Sequence, residues 1–141
     1  MQQRRSRPDD EKPDLILLVD DYQDGREMYA DSLRFAGYKT LEASSGVEAL
    51  QLAIDRLPTL ILMDLSLPGI DGWEVTQRLK KDPRTRHIPI VALTAHALQE
   101  ERERAERAGC DAFVAKPCLP EELLAEVERV LATHGSAPHQ S

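Results

Sequence analysis

The chain has 141 residues, of which 41% are hydrophobic and 30% charged, and its formal net charge is -7. That length accommodates one domain with its own core and not two. The acidic balance argues against a nucleic-acid partner, which would want a basic face. No apolar run approaches a membrane-spanning length, and the charged start MQQRRSRPDDEKP lacks the apolar core of a secretory signal. No membrane insertion is therefore expected, the expected compartment is the cytoplasm, and Cys110 and Cys118 read as free thiols.

Residues 1–13 carry little to bury and read as a disordered lead-in; the domain is expected over 14–133 and a flexible polar tail over 134–141. Within the domain, strands and helices alternate. LILLV (15–19) predicts a first strand, KTLEA (39–43) a weaker second, LILM (60–63) a third, IPIVAL (88–93) a fourth and AFVA (112–115) a fifth. Near-continuous apolar runs suit strands covered on both faces, as in a parallel sheet. The intervening segments carry helical spacing. In 24–35 the stripe is Met28, Tyr29, Leu33 and, one turn on, Phe35–Ala36; in 46–57 it is Val47, Leu50, Ile54 and Leu57. In 71–80 it is Trp73, Val75 and Leu79, and in 119–131 Leu123, Leu124, Val127 and Leu131, while 98–108 is mostly charged. Gly37, Pro68-Gly69 and Gly109 punctuate these elements. Five strands alternating with five helices predict right-handed βαβ units: an α/β fold, a doubly wound five-stranded parallel sheet of flavodoxin-like order 2-1-3-4-5 with helices on both faces.

In such a sheet, ligands bind beyond the carboxyl ends of the strands, where the strand order reverses. The first strand ends in Asp20-Asp21, the third in Asp64, the fourth in Thr94 and the fifth in Lys116-Pro117. Three carboxylates brought together repel one another unless a cation joins them. Mg²⁺ suits such a set, because it takes hard oxygen ligands and commonly combines one or two carboxylates with a phosphoryl oxygen. A carboxylate there can act as a nucleophile toward phosphorus, with Lys116 and the Thr94 hydroxyl facing the incoming charge.

These residues resemble the receiver domains of two-component response regulators, including the single-domain chemotaxis type. The likeness runs from about Leu15 to Leu131 through VDD (19–21), MDLSLPGIDGWE (63–74), ALTA (92–95) and AKP (115–117). It implies that Asp64 is the phosphoacceptor, that Asp20, Asp21, Asp64 and the Ser66 backbone carbonyl hold Mg²⁺ (or Mn²⁺), and that Lys116 contacts the phosphoryl group. It further implies Thr94 and Phe113 as the switch pair, and a cis bond before Pro117. The implied partners are a sensor histidine kinase or histidine phosphotransfer protein and a downstream protein bound at the face of the fourth helix, fifth strand and fifth helix. With no output domain following Leu131, the effect is expected to pass through such binding; a homodimer through the fourth-helix face is left open. Ser66 and His96 sit where the family tunes phosphoryl lifetime, which the sequence alone does not fix.

Several features read more plainly. Asp71 is a helix cap with Glu74 near the dipole. Trp73 is a packing residue, and Glu100–Arg104 and Glu103–Arg107 are i,i+4 pairs on a solvated face. Cys110 and Cys118 read as inert, and His87, His134 and His139 as surface residues. A haloacid-dehalogenase-type phosphatase fits less well, because it resembles this pattern only up to a second Asp, which here is Ser66. A flavin module is disfavoured by Asp20-Asp21-Tyr22 in place of a Gly- or Ser/Thr-rich phosphate loop.

Overall fold

The apolar runs form five short strands, and the amphipathic segments between them form five helices. The structure, a computed structural model, describes residues 14–67, 69–95 and 98–134. The expected lead-in, Pro68, His96, His139 and the tail beyond His134 lie outside the described residues. In chain order the elements are β1 (Leu15–Val19), α1 (Gln23–Phe35), β2 (Lys39–Ala43), α2 (Gly46–Arg56), β3 (Leu60–Asp64), α3 (Gly72–Lys81), β4 (Ile90–Thr94), α4 (Gln99–Ala108), β5 (Ala112–Ala115) and α5 (Pro120–His134). All strand pairs are parallel and the order is β2-β1-β3-β4-β5. The doubly wound parallel sheet read from the sequence is the architecture observed.

Side chains of a strand alternate between faces, and here each face has its own core. Leu17, Val19, Ile61, Met63, Ile90 and Ala92 meet Ala49 and Ala53 of α2, Val75 and Leu79 of α3 and Ala105 of α4. Ile16, Leu18, Leu60, Leu62, Val91 and Leu93 meet Tyr29, Ala30 and Leu33 of α1 and Leu123, Val127, Val130 and Leu131 of α5. Every residue of β3 and β4 is buried, which is why those runs are continuously apolar. The register aligns Val19 with Met63 and Asp64 with Leu93, so the ends of β1, β3 and β4 reach the same rim.

The helices differ from expectation in which apolar residues face the sheet. On α1, Tyr29, Ala30 and Leu33 are buried, whereas Met28 is exposed and Phe35 is 96% exposed. Phe35 lies six positions beyond Tyr29, about 240° around the helix, so it cannot share that face. On α2 the buried residues are Gly46, Ala49 and Ala53, leaving Val47 and Leu57 outward. The small residues let α2 approach closely: a Cβ on Gly46 would fall 2.6 Å from the Ile70 carbonyl oxygen.

Two ends are set by proline. The fourth strand starts at Ile90, two residues later than expected, because Pro89 has no N–H for the ladder; its carbonyl still accepts from the Ile61 amide at 3.0 Å. Helix α2 stops at Arg56, one residue early, because a residue before proline is pushed out of the helical region. Leu57 caps it in the left-handed conformation, φ 45 and ψ 66. A Cβ is disfavoured there by about 1 kcal/mol. Leu57→Gly is therefore expected to stabilise the fold by about 0.5–1 kcal/mol, read as a higher urea midpoint. At the other end of the chain α5 runs through His134, one residue into the stretch expected to be tail.

Candidate functional site

Asp20 is the first residue past β1, Asp64 is the last of β3, Thr94 is the last of β4, and Lys116 follows β5. Strand order and register bring these ends together, and one carboxylate oxygen from each of Asp20, Asp21 and Asp64 lies within 4.8 Å of the others. Asp20 is 1% exposed and Asp64 5%, while Asp21 is open to solvent. Lys116 Nζ stands 3.0 Å from Asp20 Oδ2 and 3.6 Å from Asp64 Oδ2.

Each acid is aimed by the backbone around it. The Tyr22 amide donates to Asp20 Oδ1 at 3.0 Å and the Ser66 amide to Asp64 Oδ1 at 2.9 Å, both two residues on. Such short-range turns are what Asp favours at the end of an element. Ser66 is exposed beside the centre. Thr94 is buried, and its carbonyl accepts from the Lys116 amide at 2.7 Å, joining the loops that follow β4 and β5. The Lys116–Pro117 peptide bond is cis.

Electrostatics follow from burial and crowding. Burial raises the Asp64 carboxyl above its ordinary range; the Ser66 amide and Lys116 oppose the rise and Asp20 adds to it. Burial alone would lower the Lys116 ammonium, but the hydrogen bond to Asp20 and the charges of Asp64 and Asp20 outweigh it and leave it raised. The centre thus holds three carboxylates faced by one clamped ammonium, which offsets only part of their charge.

A sequence profile of the response regulator receiver domain matches residues 16–128. The chain belongs to this family. It is 41% identical over 105 residues to the polar-differentiation response regulator DivK of Brucella anthropi, covering 74% of this chain and 85% of that protein. Among solved structures it is similar to the chemotaxis protein CheY4 of Vibrio cholerae, with a TM-score of 0.81 and 30% identity over 84% of this chain and 99% of that one. It is also similar to the receiver domain of the sensor histidine kinase PA1611 of Pseudomonas aeruginosa, with a TM-score of 0.77 and 35% identity over 83% of this chain and 96% of that one. That domain carries a magnesium ion coordinated in its active-site cleft.

On this receiver the residues of α4 do not form the i,i+4 pairs expected of them. Arg104 lies over the Trp73 ring, 4.3 Å from its centroid, and Arg102 lies over the Phe113 ring at 4.6 Å. For Arg104 the Trp73 ring competes successfully with the solvated Glu100. Phe113 is half-buried and packs against the core on the α2–α3–α4 side. Asp71 caps α3, accepting from the Glu74 amide at 3.0 Å. Among the described residues, no helix is long and apolar enough to cross a membrane.

The sequence reading passed over Arg26. Its Nη1 donates to the Asp20 carbonyl oxygen at 2.9 Å and its Nε to Glu42 Oε1 at 3.0 Å. The signal available was a cation early in a helix, where the dipole disfavours one. Also away from the expected residues, the Tyr29 hydroxyl donates to the Cys118 carbonyl at 2.8 Å, tying α1 to the loop after Pro117.

Burial pushes the Cys110 thiol up to about 11. Since the folded value exceeds the unfolded one (about 8.5), the contribution of the buried thiol is fully present below the unfolded value and is lost as pH rises toward the folded one. The urea midpoint is expected to fall between pH 8 and pH 10.5, and to fall less in Cys110→Ala. An equal decline in the two proteins would contradict this.

Proposed function

We propose that this receiver is a phosphorylation switch in which Asp64 takes a phosphoryl group from a phosphohistidine of a sensor histidine kinase or phosphotransfer protein. The observation that carries the reading is the convergence of Asp20, Asp21 and Asp64 within 4.8 Å, faced by the Lys116 ammonium. The donor set is three carboxylates, hard oxygens with more negative charge than one lysine offsets, and it fits Mg²⁺ or Mn²⁺. Asp20, Asp21, Asp64 and the Ser66 backbone carbonyl would hold the ion. When bound, it supplies charge neutralisation to the carboxylates and to the phosphoryl oxygens.

The protein's own groups carry the rest. An Asp64 carboxylate oxygen bonds to phosphorus as the bond from phosphorus to the donor's imidazole nitrogen breaks, the electron pair staying on that nitrogen. Lys116 pairs with the charge on the transferred oxygens, and the Thr94 hydroxyl donates a hydrogen bond to them. The phosphoryl group carries more charge than the carboxylate it modifies and offers three acceptor oxygens. Drawing Thr94 toward it moves the loop after β4, and the vacated space lets Phe113 turn inward. The result is a population shift between two packings of the α4–β5–α5 face, which a downstream protein reads.

Incubation with a small-molecule phosphodonor and Mg²⁺, followed by intact-mass measurement, tests the reading. A gain of one phosphoryl group in the wild-type protein and none in Asp64→Asn is the expected result. Multiple turnover of phosphoesters without a stable adduct would point to a phosphatase instead.

A further inference from the structure

We infer that Arg26 is a positioning residue for the acidic centre: its guanidinium, fixed by Glu42, holds the main chain of Asp20 so that Asp20 and Asp21 converge on Asp64. The inference rests on the reading of that centre as a cation site.

The last strand pair between β1 and β3 is Val19 with Met63, so Asp20 lies just beyond the ladder that orders the strand. Its amide donates to the Ala43 carbonyl at 3.0 Å, which secures one side of the residue. Its carbonyl accepts from Arg26 Nη1 at 2.9 Å, a donor supplied where the ladder no longer offers one. With the Tyr22 amide and Lys116 Nζ on its carboxylate, Asp20 is held at amide, carbonyl and side chain. The Arg26 amide also donates to the Tyr22 carbonyl at 2.9 Å, so the same residue closes the first turn of α1 over the two acids.

The guanidinium is itself held. Its Nε donates to Glu42 Oε1 at 3.0 Å, and the other Glu42 oxygen accepts from Arg34 Nη2 at 3.0 Å. Two arginine forks on one carboxylate hold the Glu42 carboxylate below its ordinary range, in spite of burial that acts the other way. A rigid fork reaching two acceptors at once is a property of arginine and not of lysine. The alternative is that Arg26 only ties α1 to β2. Arg34 already makes that tie, with its side chain three times as exposed as that of Arg26 (45% against 15%), and Arg34 has no bond to Asp20. The contact with Asp20 is what distinguishes the two. Mg²⁺ demands near-ideal octahedral geometry at short distances, so a small drift of the Asp20–Asp21 backbone is felt directly in affinity.

The test is calorimetric titration of Mg²⁺ into the wild-type protein, Arg26→Ala, Arg26→Lys and Arg34→Ala, with thermal melts of each and hydrogen exchange at the Tyr22 amide. Arg26→Ala is expected to weaken Mg²⁺ binding about tenfold, the lower end of the loss on removing an outer-shell partner, and to speed exchange at Tyr22. Arg34→Ala is expected to lower the melting temperature while keeping wild-type affinity. Should Arg26→Ala not fold, Arg26→Lys carries the test, because a single ammonium nitrogen does not reproduce the separate Nε and Nη1 contacts of the guanidinium, and affinity is expected to fall between the other two. Wild-type affinity in a folded Arg26 variant, or an equal loss in Arg34→Ala, overturns the inference. A wild-type protein that takes up no Mg²⁺ overturns the reading of the centre itself, which is a separate failure.

Discussion

Lys116→Met is expected to slow phosphorylation of Asp64 by about 10²–10³-fold, the usual cost of removing one preorganised donor from a site of developing charge. Lys116 is the cation that stands 3.0 Å from Asp20 and 3.6 Å from Asp64, and methionine keeps its bulk while deleting the charge. A divalent ion held at these carboxylates would have to compete with the same ammonium. Mg²⁺ affinity should therefore hold or tighten in Lys116→Met while the rate collapses. Initial rates with a small phosphodonor, measured at saturating Mg²⁺, separate the two effects. Loss of Mg²⁺ binding in parallel with the rate would show that Lys116 serves to assemble the site and does not act on the phosphoryl group.

Gly72→Ala is expected to be the most damaging conservative change near the centre. A Cβ at Gly72 would sit 2.3 Å from the Asp64 carbonyl oxygen and 2.7 Å from Leu65 Cα, so the start of α3 is pressed against the end of β3. Both obstacles are backbone, and neither can turn aside. Overpacking of this kind costs roughly 1–3 kcal/mol, and the upper end is expected here. The displacement falls on Asp64 itself, so Mg²⁺ affinity and phosphorylation should drop along with the urea midpoint. Gly25→Ala is the matched control. Its added Cβ would meet the exposed Tyr22 ring at 3.1 Å, which can swing away. In a helix, alanine is better than glycine by about 0.5–1 kcal/mol. A Gly72→Ala protein as stable as wild type would mean that α3 can slide off the strand end.

The strands were legible because β1, β3 and β4 are buried on both faces, which leaves an unbroken apolar run in the sequence. The site was legible for a related reason: a polar residue directly after such a run must lie at the rim of the sheet, and parallel strands share one rim. Helix faces were harder. On α2 the buried residues are Gly46, Ala49 and Ala53, too small to stand out, while the conspicuous Val47 points outward. Fitting α2 to the sheet selects for shape, and a hydrophobic stripe records only size. Arg26 was hidden because its partners are a main-chain carbonyl and a carboxylate on another strand, neither of which leaves a spacing pattern. Arg104 was misassigned because local spacing offered it Glu100, whereas the fold offered the Trp73 ring.

The central claim is that Asp64, at the meeting point of the three acids, is the residue that carries the phosphoryl group. The most direct measurement treats the protein with phosphodonor and Mg²⁺, reduces the acyl phosphate with borohydride, and locates the resulting homoserine by peptide mass spectrometry. The account predicts homoserine at position 64 alone, and none when Mg²⁺ is chelated. Homoserine at Asp20 or Asp21, or phosphate retained on a serine, threonine or histidine, would contradict it.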